Sequence, residues 1–300
     1  MHATSQPSRF GIRITTYILF AGFVASAMTE HASADTNSVS TNSPETDQSV
    51  RSAIKELPAY IEQVMASTGV PGIAVAVVHD DQLLYAEGFG VRSTETGQAV
   101  TPETVFQIAS VSKPLGATAV AAAISTGALT WDTTVAPLVS GFSLSDPAVL
   151  SRVTIGDLYA HRSGLPGDYG NDLFLLGFDR DEILARGYLV PLSPLRASFS
   201  YSNFGLTVAG LAAAAATGRS WEKFSEDFIF SPLGMAKSTY SYAAFKKMEN
   251  IAALHQRAEG RWTLGPKLDV DALSPAGGAN SNVLDLSRWM RMILSDGEFE

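Results

Sequence analysis

The chain has 300 residues, 21 basic and 30 acidic side chains, a formal charge of −9 and no cysteine. The missing cysteine excludes a thiol nucleophile, disulfide pairs and a lipid-modified cysteine. An acidic balance with no lysine or arginine cluster argues against nucleic acid or an anionic membrane as partner.

Residues 1–34 read as a secretory signal. Arg9 and Arg13 give a positive start, Ile14 to Met28 a mostly apolar run, and Ala32-Ser33-Ala34 a small-residue cleavage site. That run is shorter than the roughly 20 residues a membrane span needs, so the expectation is cleavage, a periplasmic or secreted protein and no stable membrane insertion afterwards. Residues 35–49 are rich in Thr, Ser, Asn and Asp without apolar periodicity and read as a disordered leader. The remaining stretch, 50–300, is long enough for one large domain or two packed subdomains.

From Val50 to Ser67, Ile54, Leu57, Ile61, Val64 and Met65 recur at helical spacing. Pro58 either kinks this helix or marks a start close by. Gly72 to Val78 is a valine-rich run, His79-Asp80-Asp81 a polar turn and Gln82 to Gly90 a second strand, which together predict a hairpin. Ser110 to Ala128 reads as an alanine-rich helix, apolar on most faces and therefore buried. Val153 to Lys247 is mostly helical, with a second alanine-rich helix over Leu206 to Ala216. A lone hairpin is marginally stable, so its sheet needs more strands. Residues 251–264 offer a short pair, Ile251 to Gln256 and Arg261 to Leu264, and an amphipathic helix runs from about Val283 to Leu294. Nothing later supplies further strands, and the chain reads as cut short.

Ser110 and Lys113 carry the most chemistry. Residues at i and i+3 share a helix face, so the amine reaches back to the hydroxyl. A serine is a poor nucleophile unless a neighbouring base takes its proton. Pro114 is tolerated in a first helical turn, which puts Ser110 at the positive end of the helix dipole. The spacing recurs in Ser52-Ala53-Ile54-Lys55 and Ser220-Trp221-Glu222-Lys223. The first reads as solvent face and the second as an N-cap serine. Tyr201-Ser202-Asn203 precedes the second alanine-rich helix and offers a phenol and an amide to one pocket; Tyr169-Gly170-Asn171 has the same spacing in the setting of an ordinary turn.

His79 and His255 are isolated, no metal or cofactor is expected, and Gly88-Phe89-Gly90-Val91-Arg92-Ser93 falls short of a dinucleotide fingerprint. The Gly-x-Ser-x-Gly nucleophile elbow does not occur. His161 reads as a structural residue shaping the turn before Leu165-Pro166.

With these segments in view, the chain resembles the serine β-lactamase and penicillin-binding protein superfamily, in its class C β-lactamase and esterase branch. The resemblance rests on Ser110-Val111-Ser112-Lys113, His161-Arg162-Ser163-Gly164-Leu165-Pro166, Tyr201-Ser202-Asn203, and Gly277-Gly278 with Asp285-Leu286-Ser287-Arg288-Trp289, in the family's order. Ser231-Pro232-Leu233-Gly234-Met235 adds a further family-like stretch. It implies an α/β plus all-α fold, an antiparallel sheet flanked by helices with a helical subdomain. It also implies a serine hydrolase: Ser110 attacks a carbonyl, Lys113 and Tyr201 share general-base and general-acid duty, and Asn203 bonds the substrate or Lys113. Gly277 and Gly278 are either a plain loop or a close backbone approach that binds substrate. One oxyanion donor would be the Ser110 backbone N–H. The expected partner is a small-molecule or peptide substrate: an ester, a β-lactam or, alternatively, a D-alanyl peptide. A non-catalytic penicillin-binding module remains a third reading. The family's third motif, Lys or His followed by Ser/Thr-Gly, does not occur in these residues; in the family it lies later than the position matching residue 300.

Overall fold

The computed structural model describes residues 44–298. The expected signal and most of the expected leader lie outside those residues. Helix α1 (Pro44–Thr68) opens six residues earlier than the apolar pattern suggests, so residues 44–49 are helix rather than leader. Proline suits the first turn, where its missing N–H costs no bond, and Asp47 on the second turn meets His79 Nε2 at 2.8 Å. Pro58 lies inside the helix and does not start it.

Strands β1 (Gly72–His79) and β2 (Gln82–Gly90) form the expected hairpin, pairing antiparallel from Gly72↔Gly90 to His79↔Gln82 with a bulge at Val77/Val78. Both turn residues, Asp80 and Asp81, have positive φ (50° and 56°), as a two-residue turn matched to strand twist requires. Strand β3 (Phe106–Gln107) follows, then helix α2 (Ser112–Ser125). Short helices α3 (Pro147–Leu150), α4 (Ile155–Tyr159), α5 (Asn171–Leu175) and α6 (Arg180–Ala185) lead to the long α7 (Asn203–Ala216). After α8 (Trp221–Ser225) and α9 (Tyr242–Phe245) come β4 (His255–Ala258), β5 (Arg261–Leu264), α10 (Ser274–Gly277), β6 (Asn280–Ser281) and α11 (Val283–Leu294).

The pair β4–β5 stands as its own two-stranded sheet instead of extending β1–β2, so that expectation is corrected. Its first strand starts at His255 and not at Ile251, because Ile251 bridges Val105 elsewhere. A third short pairing, β3 with β6, joins Phe106 to Ser281 and Gln107 to Asn280. Two-residue strands carry no alternation, which is why no pattern announced them.

Helix α2 is buried along Leu115, Ala119, Val120 and Ala123 and packs on α7, α8 and α10. Small residues allow the close approach. A Cβ at Gly116 of α2 would lie 3.1 Å from the Trp221 ring and 3.2 Å from the Tyr159 hydroxyl. One at Gly210 of α7 would lie 2.6 Å from Pro275 and 3.1 Å from the same indole. Trp221, 1 % exposed, thus fills the space between the two alanine-rich helices. Helices α1 and α11 lie against the β1–β2 hairpin. Among the described residues no helix is long and apolar enough to cross a membrane.

Candidate active site

Ser110 does not sit on α2 itself. It occupies a 3₁₀ turn, Ala109–Val111, that leads into the helix, and α2 ends at Ser125, short of Ala128. The residue before it, Ala109, has φ +45°, a left-handed conformation that costs a non-glycine residue about 1–2 kcal/mol. Neighbouring contacts hold that turn. The buried Ser112 Oγ donates to the Ala109 carbonyl at 2.5 Å and accepts the Ala279 N–H at 2.9 Å. Ile108 N–H donates to the Ala279 carbonyl at 3.0 Å. Tyr240 hydroxyl donates to the Ser112 carbonyl at 2.5 Å. The Ser110 turn is therefore tied to the 278–281 segment, and Ser110 is left exposed at its apex.

Lys113, one turn on, is only 8 % exposed. Its Nζ donates to Ser110 Oγ at 3.1 Å, Asn203 Oδ1 at 2.9 Å and the Ala276 carbonyl at 2.8 Å. All three acceptors are neutral. Burial pushes its pKa down to about 8, because the ammonium loses hydration that no carboxylate replaces. The Tyr201 ring, with its centroid 4.5 Å from Nζ, offsets this only in part. When the amine is neutral, two N–H groups suffice for Asn203 and Ala276, and its lone pair then faces Ser110.

Tyr201 precedes α7, which starts at Asn203 rather than Leu206 because the Ser202 side chain caps it, accepting the Gly205 N–H at 3.1 Å. The Tyr201 hydroxyl donates to Ser110 Oγ at 2.8 Å. Asn203, in the first turn of α7, points its carbonyl at Lys113 while its amide nitrogen donates to Asn171 Oδ1 at 3.3 Å. Ser110, Lys113, Tyr201 and Asn203 are thus brought together, although Ser110 and Tyr201 are 91 residues apart along the chain. Asn171, which the sequence placed in an ordinary turn, supports the site by fixing the Asn203 amide.

Gly277 and Gly278 end α10, next to the carbonyl that Lys113 uses. The close approach they permit is to their own turn: a Cβ on Gly277 would meet Leu273 at 2.7 Å, and one on Gly278 would meet Ser274 at 2.8 Å. The competing serine–lysine pairs behave as read, with Ser52 exposed on α1 and Ser220 capping α8 through the Lys223 N–H. His161 is buried, has φ +55° and stacks on Tyr201 with ring centroids 4.6 Å apart.

Comparison with known proteins bears on the family and the fold. The sequence profile of the family described as "Beta-lactamase" matches residues 57–299. "Penicillin-binding protein 4" of Amycolatopsis lactamdurans is 34 % identical over 240 residues, 76 % of this chain and 60 % of that protein. "Esterase EstB" of Burkholderia gladioli is 29 % identical over 194 residues, 60 % of this chain and 49 % of the relative. The solved octameric penicillin-binding protein homologue from Pyrococcus abyssi superposes with a TM-score of 0.70 at 27 % identity, covering 82 % of this chain and 57 % of that one. The chain spans about half to three-fifths of the length of these relatives. The match of that profile over residues 57–299, on a fold shared with the Pyrococcus abyssi protein, places the chain in the beta-lactamase family.

Proposed function

We propose that the protein is a secreted or periplasmic serine hydrolase that works through an acyl-enzyme on an ester or β-lactam. The observation that carries the reading is the convergence of Lys113 Nζ and the Tyr201 hydroxyl on Ser110 Oγ, at 3.1 and 2.8 Å. Neutral Lys113 takes the Ser110 proton as Oγ bonds to the substrate carbonyl carbon. The tetrahedral adduct then collapses, breaking the C–O bond of an ester or the C–N bond of a lactam. Tyr201 hands its proton to the leaving atom and recovers one from Lys113. Water repeats the cycle in reverse: its oxygen attacks the acyl carbon, its proton passes to the Lys113–Tyr201 pair, and Ser110 leaves as the hydroxyl. Asn203 and the Ala276 carbonyl hold the amine in place throughout. The Ser110 backbone N–H, at the helix entrance, serves as one oxyanion donor.

The test is covalent. A fluorophosphonate or a β-lactam should add its mass to the protein at Ser110, and Ser110→Ala should not be labelled. Labelling that persists in the alanine variant would rule the assignment out. Turnover of a chromogenic β-lactam, a p-nitrophenyl ester and a D-Ala-D-Ala peptide in parallel identifies the substrate class. The names of the relatives include a penicillin-binding protein and an esterase, and turnover of the D-Ala-D-Ala peptide alone would favour the peptidase reading instead.

A further inference from the structure

His161 brackets Tyr201 from both sides of the chain. The Ser200 N–H donates to the His161 carbonyl at 2.8 Å, and the Ser202 N–H donates to His161 Nδ1 at 3.1 Å. Between those two bonds the phenol ring lies on the imidazole, with an interplanar angle of 33°. Phe199 meets the same imidazole edge-on at 5.5 Å. Phe199 and Tyr201, two residues apart, touch the imidazole, while the Ser200 N–H bonds the His161 carbonyl and the Ser202 N–H bonds the ring. His161 reaches all of this from the left-handed φ of +55°. The imidazole thus contacts the Phe199 and Tyr201 rings and bonds the Ser202 N–H, on either side of the residue whose hydroxyl meets Ser110.

We infer that His161 is the positioning residue of the Tyr201 phenol: it governs acyl transfer by fixing where that hydroxyl points. The inference rests on the proposed role of Tyr201. Nδ1 must remain an acceptor for the Ser202 N–H, and the surroundings keep it one. Burial, and then the Lys113 charge, hold the imidazole pKa down to about 4, so the ring is neutral at ordinary pH. With Nδ1 accepting, the ring hydrogen sits on Nε2.

The experiment uses His161→Phe, which keeps a ring and loses the acceptor, and His161→Asn, which keeps an acceptor and suits positive φ but loses the stack. Each is made with Tyr201 present and with Tyr201→Phe. The readouts are the limiting rate of Ser110 labelling at saturating fluorophosphonate, the half-saturating concentration and the thermal midpoint. Misplacing a reacting group by about 1 Å costs on the order of 100-fold. With Tyr201 present, we expect His161→Phe to lower the limiting rate by about 10- to 100-fold and leave half-saturation unchanged. With Tyr201→Phe, the same change should alter the rate by less than about twofold, because there is no hydroxyl left to misplace. If His161→Phe does not fold, His161→Asn decides by the same contrast, with a loss of about tenfold. A folded His161 variant with the native limiting rate, or an equal loss in both backgrounds, overturns the inference. Absence of any Ser110 labelling in the native protein overturns the hydrolase reading itself, whereas labelling indifferent to His161 overturns only the positioning role.

Discussion

The Nζ of Lys113 stands 2.9 Å from Asn203 Oδ1 and 2.8 Å from the Ala276 carbonyl, so both groups that hold the amine are uncharged acceptors. That choice sets the operating pH. A buried lysine with a pKa lowered to about 8 carries its proton below that value and offers a lone pair above it. The limiting rate of Ser110 labelling should therefore rise about tenfold per unit as pH climbs toward 8 and level off beyond it. A stopped-flow pH series with a fluorophosphonate checks this. A profile flat from pH 6 to 9 would contradict Lys113 as the base.

Asn203→Asp puts a carboxylate where the neutral amide was. An opposite charge at that distance favours the ammonium, and shifts of about 1–3 pKa units are usual. The rising limb should move to higher pH by a comparable amount, so that labelling at pH 7.5 falls at least about tenfold while the rate above pH 10 recovers. Asn203→Ala, which removes the acceptor without adding charge, should not displace the limb upward.

The two glycines after Ala276 are distinguishable. At Gly277 a new methyl meets the end of a flexible leucine side chain, whereas at Gly278 it meets the Ser274 backbone Cα at 2.8 Å. Gly278→Ala should therefore disturb the turn that presents the Ala276 carbonyl to Lys113 and lower the labelling rate about tenfold or more. Gly277→Ala should stay within about threefold. Reversed effects would place the substrate against Gly277 instead.

Asp285 joins three segments. One oxygen accepts the Lys237 N–H at 2.8 Å and the Ser238 hydroxyl at 2.9 Å, and the other meets Arg288 at 3.3 Å. Ser238 in turn bonds Ser281 at 2.8 Å, next to β3. Asp285→Ala leaves the part-buried Lys237 N–H without its acceptor and takes one partner from the buried Ser238 hydroxyl, and should cost about 2–4 kcal/mol. For a domain of this size that lowers the melting temperature by roughly 5–15 °C. Calorimetry measures it; a shift under about 2 °C would show the carboxylate to be dispensable.

How much of this could be read from residues alone follows from what side chains encode. Ser110–Lys113 and Tyr201–Asn203, whose spacings each recur elsewhere in the chain, were legible because they occur together with further segments in the family's order, and the hairpin and α11 because their periods are clear. The Ala276 carbonyl was not legible, since a backbone oxygen leaves no trace in residue identity. Asn171 was hidden by its setting among Pro166, Gly167 and Gly170, and only the fold turns its amide toward Asn203. The 3₁₀ entry to α2 was missed because helical spacing holds for either kind of first turn. His161 reads from the sequence as shaping the turn before Leu165-Pro166; its contacts with Ser200, Tyr201 and Ser202, some 40 residues on, come only with the fold.

Trp221 is not among the side chains that meet Ser110, yet its indole is the spacer between the helix that follows Ser110 and the helix that follows Tyr201. Thinning or thickening that spacer changes the gap across which Ser110 and Tyr201 meet. Remodelling of the reaction centre is thus open to a change at a side chain no substrate can touch, and a search for altered reactivity that samples only the mouth of the site would overlook it.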